Sequence, residues 1–123
     1  MNVILSIKPK YCQKISEGVK KYEFRKKIFK ANTDWIYMYS SSPVKKIVGK
    51  FTVGNIIEDN PEFLWKNCKE HSGITEMEFF EYFNGVKNGF AIKIENVKMF
   101  NPINPEKIIP NFKAPQSYCY IKE

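Results

Sequence analysis

Gly18–Lys27 reads GVKKYEFRKK, and it holds the only arginine of the chain, Arg25, among nineteen lysines. Glu23 stands two residues before that arginine. From Lys20 the stretch alternates: Tyr22 and Phe24 fall on one side, Lys21, Glu23 and Arg25 on the other. A period of two is the mark of a strand with one buried face. A guanidinium presents a planar fork of donors that an ammonium cannot copy. One arginine in a lysine-rich chain therefore marks a place where a phosphate or carboxylate is held by geometry as well as charge. Glu23 can orient Arg25, accept from a base amino group or act as a general base. As an exposed pair on one strand face the two would contribute only about 0–1 kcal/mol. Strict alternation turns Lys20 towards Tyr22 and Phe24. Either Gly18 lets the chain run irregularly before the strand, or Lys21 supplies the cation beside Glu23 instead.

Working outward, Val3–Ile7 reads as a short strand, and Pro9 suits the first turn of a helix with Tyr11, Cys12 and Ile15 on its buried stripe. Gly18 is its C-terminal glycine. Residues 35–39 (WIYMY) form an aromatic strand that Ser40-Ser41-Ser42-Pro43 ends. Residues 47–57 alternate again, with Gly49 and Gly54 as bend points. Asn60-Pro61 caps and opens a helix that stops near Ser72-Gly73; Thr75-x-x-Glu78 is a capping box, with Ile74 and Phe79 as its staple. Residues 89–97 return as a strand. The tail carries Pro102, Pro105, Pro110 and Pro115, and reads as an irregular connection closing in a short strand over 118–121. About six strands and two or three short helices, without regular βαβ alternation, predict a mainly β, α+β fold: a small closed or partly open barrel over residues 1–123 as one domain.

The totals narrow the function classes. The chain has 123 residues, of which 43% are hydrophobic, which suits one folded domain. No apolar run approaches the length of a membrane span, and the start lacks the layout of a signal peptide. Three cysteines with no CxxC or Cys/His cluster predict a reduced cytoplasmic protein with no metal and no cofactor. The net charge is +7 and uneven: residues 1–50 hold twelve basic and three acidic side chains, residues 51–106 five and nine. A one-sided basic field favours a polyanion such as nucleic acid. The acidic, aromatic-rich helices over 60–84 are a candidate face for a protein partner. No DNA-reading helix-turn-helix is present, and no Ser/His/Asp set or phosphate loop.

Gly18, Lys20, Glu23 and Arg25 fit G-x-K-x-x-E-x-R, which resembles the signature of the ASCH domain, a branch of the PUA-like superfamily. VILSIKPKY, YMYSSSPVKKIVGKF, EFFEYF and APQSYCYI extend the resemblance along nearly the whole chain, towards the stand-alone ASCH proteins described as predicted transcriptional regulators. The resemblance implies a PUA-like barrel with a cleft lined by the motif strand, and an RNA or nucleotide-like ligand. It also implies two enzymatic precedents, an amidohydrolase of N-acetylated cytidine and a ribonuclease. The amidohydrolase subgroup has threonine where this chain has Glu23, so its nucleophile is missing here.

The expected ligand-binding set is thus Lys20, Lys21, Glu23, Arg25 and Lys26, with Lys8, Ser41, Lys45 and Ser117 around them. In an enzyme acting on RNA or a modified nucleoside, Lys20 and Glu23 would do the acid/base work. Tyr37 and Tyr39 are candidate base-stacking residues, with core packing the more ordinary role. His71, the only histidine, suits a helix C-terminus.

Overall fold

A computed structural model describes residues 1–30 and 32–121. Six strands form one curled sheet, a half-barrel, in the order β2-β5-β4-β3-β1-β6. They are β1 (Asn2–Ile7), β2 (Tyr22–Arg25), β3 (Ile36–Ser40), β4 (Lys46–Asp59), β5 (Gly89–Ile103) and β6 (Tyr118–Ile121). Three helices accompany them: α1 (Pro9–Ser16), α2 (Pro61–Cys68) and α3 (Glu76–Tyr82). Every neighbouring pair is antiparallel except β1 with β3. The chain therefore needs a crossover between them, and α1 and β2 supply it.

Alternation along the strands feeds both faces of the sheet. Inside the curl, Val3, Leu5 and Ile7 meet Ile36, Met38, Phe51 and Ile92, and α1 plugs the space with Cys12 and Ile15. On the outer face of β2 and β5, Phe24 and Ala91 are covered by Leu64, Cys68, Phe79 and Phe83 of the helical segment. Phe24 meets Phe79 edge-on, with centroids 4.9 Å apart. On the outer face of β1, β3 and β4, Ile4, Tyr39 and Ile47 lie under Phe100, Ile109 and Phe112.

This double covering corrects the half-buried reading of β2. Tyr22 and Phe24 do share a side, but Glu23, Phe24 and Arg25 are all at least nine-tenths buried. The helices take one face and the barrel interior takes the other. β5 also runs further than expected, through Pro102 to Ile103. Register shifts between Ile47 and Gly49 and between Val53 and Ile56 bend β4 along that longer pairing. Most aromatic rings of the 60–84 segment are spent in the core, leaving Phe63 and Tyr82 exposed along with Met77. Among the described residues no helix is long and apolar enough to cross a membrane.

Candidate functional site

α1 ends at Ser16, Gly18 in the turn after it adopts φ +77°, and the chain reaches β2 through three irregular residues. That irregularity resolves the choice between the two lysines. Lys20 is turned inward and is 2% exposed, whereas Lys21 is exposed and lies outside the cleft. The Lys20 ammonium sits 3.7 Å from Glu23 Oε1 and donates to the Ser72 carbonyl at 2.7 Å. It also lies 5.0 Å from the ring centroids of both Tyr11 and Phe24. The turn at 71–73 is shaped to this lysine. Gly73 holds φ +64°, and a Cβ there would come within 2.5 Å of the Lys20 Cβ. Burial lowers the Lys20 pKa; Glu23 opposes that shift and Arg25 adds to it.

Arg25 sits on the edge strand β2 and reaches across to the other edge of the sheet. Its Nη2 donates to Glu23 Oε2 at 2.5 Å and to the Ser6 carbonyl at 2.7 Å. Its Nη1 makes long contacts of 3.4 Å to the carbonyl and hydroxyl of Ser117, just before β6. The Ser117 carbonyl also accepts from the Ser6 backbone at 3.0 Å. Among the described residues the buried Nε has no acceptor. One uncommitted donor and an Nη1 held only by long contacts leave this guanidinium capacity for an oxyanion once the Ser117 contacts are exchanged.

The three charges form the floor of a cleft of about 990 Å³. Lys8 and Tyr11 come from the β1–α1 side, Ser41, Ser42 and Lys45 from the turn after β3, and Gln116 and Ser117 from the tail. Lys45 adopts φ +56°, a strained backbone for a long side chain. Lys26 and Lys27 extend the basic rim. Of the expected set, Lys8, Lys20, Glu23, Arg25, Lys26, Ser41, Lys45 and Ser117 therefore share one cleft, and Lys21 does not. Tyr39 lines it but is buried under Phe112, and Tyr37 belongs to the outer sheet face. His71 is exposed, but its carbonyl anchors the Lys21 backbone at 2.8 Å. Among the described residues no three His, Cys, Asp or Glu side chains converge as a metal site requires.

The α3 wall is absent from the expected set. Glu78, Glu81 and Tyr82 line the cleft opposite the lysines. Glu78 Oε2 accepts from Lys10 at 2.6 Å and Tyr11 at 3.0 Å, and Oε1 accepts from Thr75 at 3.0 Å. The hydrogen bond from Lys10, then those from Tyr11 and Thr75, hold its pKa down to about 2. Thr75 caps α3 as predicted by accepting from the Glu78 amide. The glutamate side chain reaches α1 instead of completing the box, which a local motif cannot show.

Comparison with known proteins agrees with this architecture. The family model of the ASCH domain matches residues 5–104. An ASCH domain-containing ribonuclease of Zymomonas mobilis is 27% identical over 124 residues, covering 98% of this chain and 84% of that protein. A protein of Ureaplasma parvum named ATP synthase subunit alpha is 25% identical over 121 residues, but the match spans only 15% of its length. The crystal structure of the Zymomonas mobilis ASCH protein superposes with a TM-score of 0.92 at 25% identity, covering 99% of this chain and 88% of that one. A serine-to-alanine variant of it gives 0.93 at the same identity, covering 99% and 89%. None of these relatives is named as a transcriptional regulator.

Proposed function

The chain belongs to the ASCH domain family, and from that premise we propose that it binds single-stranded RNA across the Lys20–Glu23–Arg25 floor and cleaves it there. What carries this reading is the state of Lys20: an amine almost wholly buried, with a lowered pKa, at the bottom of a cleft rimmed by lysines. A lysine so placed gives up its proton more readily than a solvated one, which is the direction a general base needs. The name of the Zymomonas mobilis relative supports the substrate class.

On this reading a phosphate takes the place of the long Ser117 contacts at Arg25 Nη1, with Lys8, Lys26 and Lys45 neutralising its neighbours. Lys20 takes the proton of the 2′ hydroxyl, and that oxygen attacks the adjacent phosphorus. The bond to the 5′ oxygen breaks, and the protonated amine returns its proton to that oxygen. The products are a 2′,3′-cyclic phosphate and a 5′ hydroxyl. Glu23 holds both cations in place and is not consumed.

A second reading, binding without turnover, is favoured by one observation. Both Glu23 oxygens are engaged and Lys20 already donates to Ser72. Labelled single-stranded RNA incubated with the protein in chelator separates the two. Cleavage to cyclic-phosphate ends, reduced about a hundredfold or more in Lys20→Met, supports the enzyme. RNA that is bound but returned intact leaves a binding module, with affinity that falls steeply as salt rises. No binding at low salt overturns both.

A further inference from the structure

Away from the cleft, the outer face of the sheet carries a second concentration of basic and aromatic groups. Tyr37 pairs with Lys50 across β3 and β4, and Lys50 pairs with Lys98 across β4 and β5. The three side chains thus stand in one row on one face. Trp35, two residues before Tyr37, is half-buried on the same face, and both lysines lean on its ring: Lys50 at 4.2 Å from the centroid and Lys98 at 5.2 Å. Lys50 also lies 5.6 Å from the Tyr37 ring.

Like charges set directly opposite on neighbouring strands repel. Among the described residues no carboxylate lies within 4.0 Å of either ammonium. Asp34, just before β3, is engaged with the N-terminal amine at 2.6 Å. The patch is therefore uncompensated positive charge over aromatic rings, which matches a phosphate with a base beside it. Strand β3 links the patch to the cleft, with Phe112 packed over Tyr39 between them. Tyr39, on the same face of β3 as Tyr37 and Trp35, lines the cleft. At about 3.3 Å per residue, Trp35 stands roughly 13 Å further along that strand.

We propose that Trp35, Tyr37, Lys50 and Lys98 form a second contact for single-stranded RNA. It takes a phosphate between the two lysines and a base against the exposed aromatic edge, and holds the part of the strand that leaves the cleft. This rests on the RNA reading of the cleft and extends it to substrate length.

The test measures binding of a dinucleotide and of an RNA of about twelve nucleotides, a length within the usual site sizes for single strands, at two salt concentrations. Wild type is compared with the double variant Lys50→Gln/Lys98→Gln and with Trp35→Ala, and each fold is checked by its circular dichroism. The double variant is expected to weaken the longer RNA about tenfold or more and to flatten its salt dependence by about one to two phosphate contacts. Trp35→Ala is expected to weaken it about 5- to 150-fold, the range of one lost stack. The dinucleotide, held in the cleft, is expected to bind all variants alike. If the folded double variant binds the longer RNA as wild type does, or if the dinucleotide suffers equally, the inference is overturned while the cleft reading stands. If wild type binds neither RNA, the cleft reading falls and this inference with it. The glutamine pair keeps the test decisive should Trp35→Ala fail to fold.

Discussion

Replacing Glu23 with glutamine tests the cluster more sharply than removing either cation. The carboxylate is 6% exposed, 2.5 Å from the Arg25 guanidinium and 3.7 Å from the Lys20 ammonium. Glutamine keeps the shape and one acceptor but removes the charge, leaving two buried cations facing each other. Breaking a buried pair by removing one partner costs about 3–5 kcal/mol, mostly the penalty of the charge left behind. Against a typical total of about 5–15 kcal/mol this is a large fraction. The loss also depends on pH. The Lys20 pKa is already below its ordinary value through burial, and Glu23 pulls it back up. Without Glu23 it falls further, so the folded variant sheds the proton at a lower pH than wild type. A folded-state pKa below the unfolded one means that the unfolded state binds more protons in the window between the two. Stability from this group therefore rises with pH across that window. The window opens earlier in Glu23→Gln, and the gap to wild type narrows as pH rises. Urea denaturation of both proteins at pH about 6 and about 9 reads this directly. A loss under about 1 kcal/mol, or one independent of pH, would show that Glu23 behaves as a solvated surface carboxylate, and the account of the cluster would be wrong.

Three other outcomes follow from the geometry. Gly73→Ala meets Lys20 at 2.5 Å and requires φ +64° from a residue with a Cβ; it should cost about 1–3 kcal/mol and move the pH profile of any Lys20-dependent reaction, whereas a profile that stays put would detach the turn from the amine. Glu78→Gln should lower the urea midpoint at neutral pH, because a carboxylate held at about 2 stabilises the fold above its unfolded pKa and loses that effect only as pH falls through its folded value; the two midpoints should converge as pH approaches 2, and parallel curves would refute the tie between α1 and α3. Burial pushes the Cys12 and Cys68 thiols up to about 11, so alkylation followed by mass spectrometry should leave both unmodified in the native state, and early labelling of either would contradict the packing.

Much of this was legible in residues 18–27. The alternation of Tyr22 and Phe24 against Glu23 and Arg25 gave the strand and its two sides, and Pro9, Asn60-Pro61 and Thr75 placed the three helix starts where they are observed. What local pattern could not show was that β2 is covered twice, because the second cover, α2 and α3, lies some forty residues on in the chain. The choice between Lys20 and Lys21 turned on the irregular residues after Gly18, and alternation could not show the room that Gly73 leaves for the Lys20 side chain. Pro102 read as a strand breaker and is not one, since the bulges of β4 let the ladder pass it. The α3 wall went unread because Glu78 fits a capping box on sequence yet spends its carboxylate on Lys10 and Tyr11.

The lone arginine bridges the two free margins of a sheet that never zips shut. Among the described residues β2 and β6 exchange no ladder hydrogen bonds, and side chains span the gap between them: Arg25 to Ser117, the Tyr118 hydroxyl to the Ile28 carbonyl at 3.3 Å, and the Lys30 amide to the Tyr120 hydroxyl at 2.8 Å. A seam fastened by side chains can change its width by rotamer shifts, on a timescale of picoseconds to nanoseconds for exposed groups, without melting any strand. The cleft lies on that seam, so its mouth is adjustable although its walls are rigid. On the proposed RNA reading, a phosphate at Arg25 would draw on that clasp, so that filling the cleft and setting the width of the seam would be one event.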